Sequence, residues 1–351
     1  MRKKQERSGI SPVDDEILGK YAPKKSLNRK AFHFIKKYLG EAAAEYFEEC
    51  NTFISFLTNG DKSVKRTYKA NNCKNRFCPM CAWKKAKKDA MKLGVMLEAI
   101  KQKEDKEFLF LTLTAPNCQA EELSDTIDKF NKAYHKLFKR RNVQKAVKGY
   151  VRKLEVTTDQ ELKITRELYH QKREYFDKRG LKMGHDNPQY DTYNPHFHAI
   201  LVVNKSYFKK NYIRHDEWLN MWRDCMDDPS ITQVRVERLK KKGSSNGVLE
   251  IAKYAAKHDD LLINEKVFDV FYTSLKGRQL LVYSGVMKDY AQKYESGELD
   301  DFKEKDENAY THLLSAIWAK SKYIQELRAL TEHELQEINK TKFVEEVEDI
   351  I

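Results

Sequence analysis

His196 and His198 stand two residues apart at the start of an apolar run, Asn194-Pro-His-Phe-His-Ala-Ile-Leu-Val-Val203. In a strand, the two-residue repeat points both imidazoles to one face and Phe197 and Ala199 to the other. Two neutral imidazoles so placed can bind one divalent ion, and oxygen ligands in the rest of the shell suit Mn2+, Mg2+ or a similar cation. A pair of partly exposed strand histidines without a metal also accounts for the pattern. A third ligand is best a carboxylate from a neighbouring strand. The segment Gly149-Tyr-Val-Arg-Lys-Leu-Glu-Val-Thr157 offers Glu155, an acid among apolar residues, whose burial is costly unless it is paired or metal-bound. A salt bridge to Arg152 or Lys153 is the competing reading.

A second constellation lies in Val248-Leu-Glu-Ile-Ala-Lys-Tyr-Ala-Ala-Lys257. Read as a short helix, it sets Glu250 and Tyr254 on one face and Lys253 and Lys257 on an adjacent one, each pair four residues apart. A phenol with its ordinary pKa of about 10 is a poor nucleophile at neutral pH. A nearby cation or a metal-polarised phosphate would favour its attack, and a carboxylate one turn away could activate water. With 19 tyrosines in the chain, packing on an amphipathic helix is the plain alternative.

The third constellation is Cys73-x4-Cys78-x2-Cys81, preceded by Cys50. The tight Cys-x2-Cys step suits tetrahedral Zn2+ in a structural site. Cys50 is the expected fourth ligand, with His33 as a competitor. Free thiols are the alternative, and disulfides are disfavoured because six cysteines without an export signal point to a reducing, cytoplasmic setting. Cys118 and Cys225 stand alone and read as ordinary core or surface thiols.

The elements that must position these groups form an α+β chain. Phe108-Leu-Phe-Leu-Thr-Leu-Thr114 reads as a buried strand stopped by Pro116, with further strands at Gly149–Thr157, His196–Val203, Ile231–Arg238 and Arg278–Ser284. Helices are expected at 31–47, 121–141, 215–226, where Trp218 and Trp222 read as packing residues, and 248–258. The polar connector 158–193 is long enough for a helix or hairpin of its own. Residues 1–30 read as a flexible basic arm, 31–104 as a helical, cysteine-rich module that contacts DNA, 105–290 as a catalytic domain with the 158–193 insertion, and 291–351 as a mostly helical, acidic tail able to dock or self-associate.

Charge narrows the partner. The chain of 351 residues carries 66 Lys and Arg against 53 Asp and Glu, a surplus of +13 that fits a polyanion. No apolar stretch reaches the roughly 20 residues of a membrane span. Positive charge concentrates at 61–90, and Arg76, Lys84, Lys85, Lys87 and Lys88, with Lys253 further on, are the candidate phosphate contacts; a merely solvated basic face is the alternative.

The ordered series of the Phe108–Thr114 strand, Glu155, Pro195-His-Phe-His198, and Glu250-Ile-Ala-Lys-Tyr254 with Lys257 resembles the rolling-circle plasmid replication initiators of the HUH endonuclease superfamily, in the branch with one catalytic Tyr and a Glu one turn before it. The resemblance spans roughly residues 50–285. It implies a central, mainly antiparallel sheet flanked by helices, with His196 and His198 as ligands of the catalytic ion and Glu155 as a third. It further implies Tyr254 as the nucleophile that leaves a 5′-phosphotyrosine link and a free 3′-OH, Lys257 as a holder of the scissile phosphate or metal, and Glu250 as the acid that directs water at termination. The implied substrate is plasmid double-strand origin DNA presented single-stranded or as a hairpin, with a host helicase and polymerase as partners. Related chemistry in a single-strand transposase or relaxase, and a non-catalytic zinc-containing DNA-binding regulator, are the competing functions.

Overall fold

The computed structural model describes residues 16–239, 258–338 and 343–344. The chain divides into two compact units, residues 1–91 with 303–351, and residues 92–302. Among the described residues no helix is long and apolar enough to cross a membrane.

The first unit is built on a four-stranded antiparallel sheet. Its strands are β1 (Phe53–Thr58), β2 (Lys65–Ala70), β8 (His312–Ala319) and β9 (Lys322–Ala329), in the order β2-β1-β8-β9. β1 is buried through Ile54, Phe56 and Leu57. Three expectations are corrected here. Within residues 1–30, the described part from Tyr21 onward is helical, not an arm: Tyr21–Ile35 is a helix that buries Tyr21, Lys25, Asn28, Ala31 and Ile35. These five recur at helical spacing, but two are polar, so an apolar-only pattern hides the face. The expected 31–47 helix ends at Ile35 and restarts as Glu41–Glu48, because Gly40 sits extended before it.

The third correction concerns the region after residue 291. It contains the helices Val286–Glu295, of which only the end falls there, and Glu332–Ile338, but residues 312–329 form the hairpin β8–β9. Lys320 and Ser321, the two residues between the strands, both have positive φ (48° and 69°), as a two-residue hairpin turn with right-handed strand twist requires. Neither is Gly, Asn or Asp, so the turn carries no sequence signal.

The second unit holds β3 (Lys106–Leu113), β4 (Val147–Asp159), β5 (Thr192–Asn204), β6 (Val234–Arg238) and β7 (Leu281–Gly285) in one antiparallel sheet, order β6-β3-β5-β4-β7. The α+β class with a mainly antiparallel sheet flanked by helices is therefore observed. β5 lies at the centre, where its Phe197-to-Val203 stretch is buried, which explains a near-continuous apolar run in place of alternation. Gly149 permits the close approach of β7 to β4, since a Cβ there would lie 2.7 Å from the Ser284 carbonyl oxygen.

Helices Leu123–Phe138 and His215–Met226 pack on the Phe197 face of the sheet. Leu123, Ile127, Phe130, Tyr134 and Leu137 form the buried stripe of the first, and Phe130 meets both Phe197 (5.7 Å between centroids) and Trp222 (5.4 Å) edge-on. The Trp222 indole donates to the Thr114 carbonyl at 2.8 Å, so Trp218 and Trp222 are packing residues as expected. The 158–193 connector carries helices Arg166–Gln171 and Arg173–Asp177 with their own small core of Ile164, Leu168 and Phe176.

Candidate functional site

The register of the central strands assembles the first site. Glu155 of β4 lies directly opposite His196 of β5, and His198 lies opposite Lys153 on β4 and Thr112 on β3. Opposed residues in an antiparallel pair share a face, so Glu155 joins both imidazoles on the side away from Phe197. Glu155 Oε2 is 3.2 Å from His196 Nε2 and 2.9 Å from His198 Nε2. Ligands about 2.1 Å from an octahedral ion are about 3.0 Å apart when adjacent, so the spacing fits one face of such a shell.

The outer nitrogens are also engaged. His198 Nδ1 lies 3.2 Å from the Thr112 hydroxyl, and His196 Nδ1 lies 3.3 Å from the Asn194 carbonyl oxygen. A carbonyl can only accept, so His196 Nδ1 can donate to it, and the Thr112 hydroxyl can bond His198 Nδ1; an ion bound at the cluster would need both Nε2 lone pairs, which these outer contacts would favour. Asn194 is itself fixed, donating to the Ala115 carbonyl (3.0 Å) and to Asn117 Oδ1 (2.7 Å). Burial would raise the Glu155 pKa, but hydrogen bonds and charge from His196 and then His198 overcome it and hold the carboxyl below the usual range. The acid is thus an anion ready to meet a cation.

The competing readings of these residues can now be judged. Arg152 is on the opposite face, its guanidinium 4.2 Å from the Phe197 ring centroid and its side chain bonded to Asn131 Oδ1 at 2.7 Å, so it does not pair with Glu155. Lys153 shares the Glu155 face by register and is nearly buried. Tyr254, Glu250, Lys253 and Lys257 lie outside the described residues.

The second site is the cysteine cluster of the first unit. Cys50 follows the Glu41–Glu48 helix, Cys73 follows β2, and Cys78 and Cys81 flank the start of the helix Pro79–Glu104. Their sulfurs all lie within 4.8 Å of one another, with Sγ–Sγ separations of 3.5 Å (Cys50–Cys81), 3.6 Å (Cys50–Cys78) and 3.7 Å (Cys73–Cys81). Those are not disulfide distances. Metal–sulfur bonds of about 2.3 Å in a tetrahedron put sulfurs about 3.8 Å apart, so the four fit a tetrahedral ion. Cys50, and not His33, completes the set.

Donors surround the sulfurs: Asn28 Nδ2 on Cys78 (3.3 Å), Asn51 Nδ2 on Cys50 (3.1 Å), and the Lys74 amide on Cys81 (3.2 Å). Lys25 is 1% exposed and donates to the Glu48 and Cys50 carbonyls, both at 2.7 Å, and to Asn28 Oδ1 at 2.9 Å. Burial pushes its pKa down, while the Cys50 and Cys78 sulfurs pull the other way. A buried cation beside four sulfurs supplies opposite charge where thiolates gather. Sequence reading missed Lys25, Asn28 and Thr112, because none stands in a motif and each acts through a fold contact.

The candidate phosphate contacts divide. Arg76, Lys85 and Lys88 are exposed, Lys85 pairing with Asp89. Lys87 is mostly buried with its ammonium 5.1 Å from the Trp83 ring centroid, and Lys84 bonds the Asn51 and Asn72 side chains. Trp83, Ala86, Ala90, Leu93 and Leu97 form the buried apolar stripe of this helix.

Comparison with known proteins gives the family. Residues 64–326 match a family described as replication protein. A Staphylococcus aureus protein named Protein rep is 44% identical over 250 residues, covering 71% of this chain and 96% of its own. Proteins of the same name from Streptococcus pneumoniae and Bacillus amyloliquefaciens are 31% and 29% identical over 306 residues, covering 82% and 79% of this chain and 86% and 82% of their own. No solved structure matches. The chain belongs to the Rep family of plasmid replication initiators.

Proposed function

We propose that this protein starts rolling-circle replication of a plasmid in the cytoplasm by nicking, and later rejoining, one strand of the origin. The observation that carries the reading is the convergence of Glu155 Oε2 with the Nε2 atoms of His196 and His198, backed by the Thr112 and Asn194 contacts. A divalent ion held there, Mn2+ or Mg2+, supplies Lewis-acid polarisation of a phosphate oxygen. Tyr254 Oη attacks the scissile phosphorus, the P–O3′ bond breaks, and the phenol proton leaves with the 3′ oxygen. The products are a 5′-phosphotyrosine and a 3′-OH that primes a host polymerase beside a host helicase. Because the link conserves the phosphodiester bond, the same residues can rejoin the strand. Lys257 steadies the phosphate, and Glu250 acts as general base for the water that releases the enzyme at termination. The cysteine set holds structural Zn2+, and Arg76, Lys85, Lys88 and Lys253 contact backbone phosphates.

The test is a single-stranded or hairpin origin oligonucleotide with Mn2+ or Mg2+. Wild-type protein is expected to give a covalent adduct that survives a denaturing gel, and Tyr254→Phe none. Tight duplex binding by a protein that cleaves no candidate origin would favour a non-catalytic regulator, and adduct formation by Tyr254→Phe would displace the nucleophile.

A further inference from the structure

A cleft of about 870 Å3 opens in the second unit at the ends of β3, β4 and β5, beside the carboxylate and imidazole cluster. Thr157 and Asn194, a register pair that lines it, are each two residues from Glu155 and His196. At about 3.3 Å per strand residue the cleft begins some 7 Å along the strands from the cluster. No motif points to it, and the excursion between β4 and β5 contributes much of its lining.

Two features of the excursion bear on what the cleft could take. Its helices are anchored by Ile164, Leu168 and Phe176, so they present a shaped surface. Its contribution is cationic and aromatic: Lys172, Arg173, Lys178 and Arg179 line the cleft with Tyr175, against Asp159 and Glu174. Arg179 lies 3.9 Å from the Tyr175 ring centroid, and Arg173 is exposed with Asp177 at 3.5 Å. The remaining lining is largely neutral and hydrogen-bonding, with Asn117, Gln119 and Gln233 among it. Cations for phosphates, an aromatic and guanidinium pair for stacking, and amides for base edges match a single strand.

We propose that this cleft holds the nucleotides next to the scissile phosphate, with Arg173 on the backbone and the stacked Tyr175 and Arg179 pair against a base, so that the 158–193 excursion is a substrate-positioning element. This rests on the nicking reading for its substrate. The test separates the two by measuring binding without cleavage. In a Tyr254→Phe background, a fluorescent single strand of about twelve mixed-sequence nucleotides is titrated by anisotropy at several salt concentrations.

Arg173→Glu with Arg179→Glu is expected to weaken binding at least about tenfold and to lower the salt slope by between one and two. Arg141→Glu with Lys145→Glu, an equal charge change on exposed residues outside the cleft, is expected to weaken it less than about threefold. Tyr175→Ala should cost about tenfold and Tyr175→Phe little, the latter guarding against misfolding. Equal effects of the two charge pairs, or an unchanged affinity for Tyr175→Ala, overturn the proposal. With Tyr254 restored, a wild type that binds as described but forms no adduct on any origin strand defeats the nicking reading and leaves the cleft standing. Normal adduct formation together with indifferent cleft variants defeats the cleft alone.

Discussion

The two ligand clusters are built on opposite plans. In the first unit, four sulfurs come from two loops, around Cys50 and Cys73, and from the start of a helix, at Cys78 and Cys81, and they close on one another in a tetrahedral set. In the second, one carboxylate and two imidazoles stand on adjacent strands whose ladder sets their spacing. Four soft ligands leave a tetrahedral ion no open position, whereas three ligands on one side of an octahedral ion leave the other side to substrate and water. An ion bound in the first arrangement would tie two loops to a helix start. The second is held by a sheet that folds for its own reasons, and is free to do chemistry.

That contrast can be broken in stages. Cys78→Ser should have the largest effect, because binding at a structural zinc site contributes folding free energy of about 10 kcal/mol. Metal analysis should fall from about one Zn per chain to none, and the first unit should lose its cooperative melt. Retention of the metal and the melt would mean that the sulfurs are not a staple.

His198→Ala should reverse the pattern. Nicking is expected to drop by about three orders of magnitude, the several kcal/mol that a bound ion contributes, while thermal melting moves by only a few degrees. If His198→Ala nicks at the wild-type rate in Mn2+, the imidazole is not a ligand.

Lys25→Met tests whether the sulfur cluster depends on its buried cation. Loss of the donor to the Glu48 and Cys50 carbonyls should lower stability by about 2 kcal/mol in urea unfolding. The loss should be greater with metal bound than after chelation, and equal losses would separate Lys25 from the sulfurs. The smallest effect is expected of Thr112→Val, which removes the hydroxyl beside His198 Nδ1 while keeping shape. Mn2+ affinity should weaken about tenfold by isothermal titration, with stability unchanged to within about 1 kcal/mol. An unchanged affinity would show that Thr112 does not orient the ring.

Much of this was legible because it rests on short-range periodicity. Two histidines two apart on an apolar run must share a face of any strand they form, and the Cys-x2-Cys step brings two sulfurs together at a helix start. Glu155 was legible only as a buried acid. A slip of one residue in the β4–β5 register would have turned it to the Phe197 side of the sheet, and nothing local forbids that. Cys50 over His33 was equally undecidable by spacing, since both precede the cluster by many residues. The β8–β9 hairpin escaped because Lys320 and Ser321 take positive φ without the residue types that advertise it.

By itself, then, the sequence determined the ligand types, the faces within each element, the α+β class and the concentration of positive charge, all of which depend on neighbours within a few residues. The tertiary structure alone decided which carboxylate meets the histidines, which fourth cysteine closes the sulfur set, and that Lys25 and Asn28 are buried against it. Those outcomes depend on strand register and helix docking, which are set by the packing of whole faces between residues far apart in the chain.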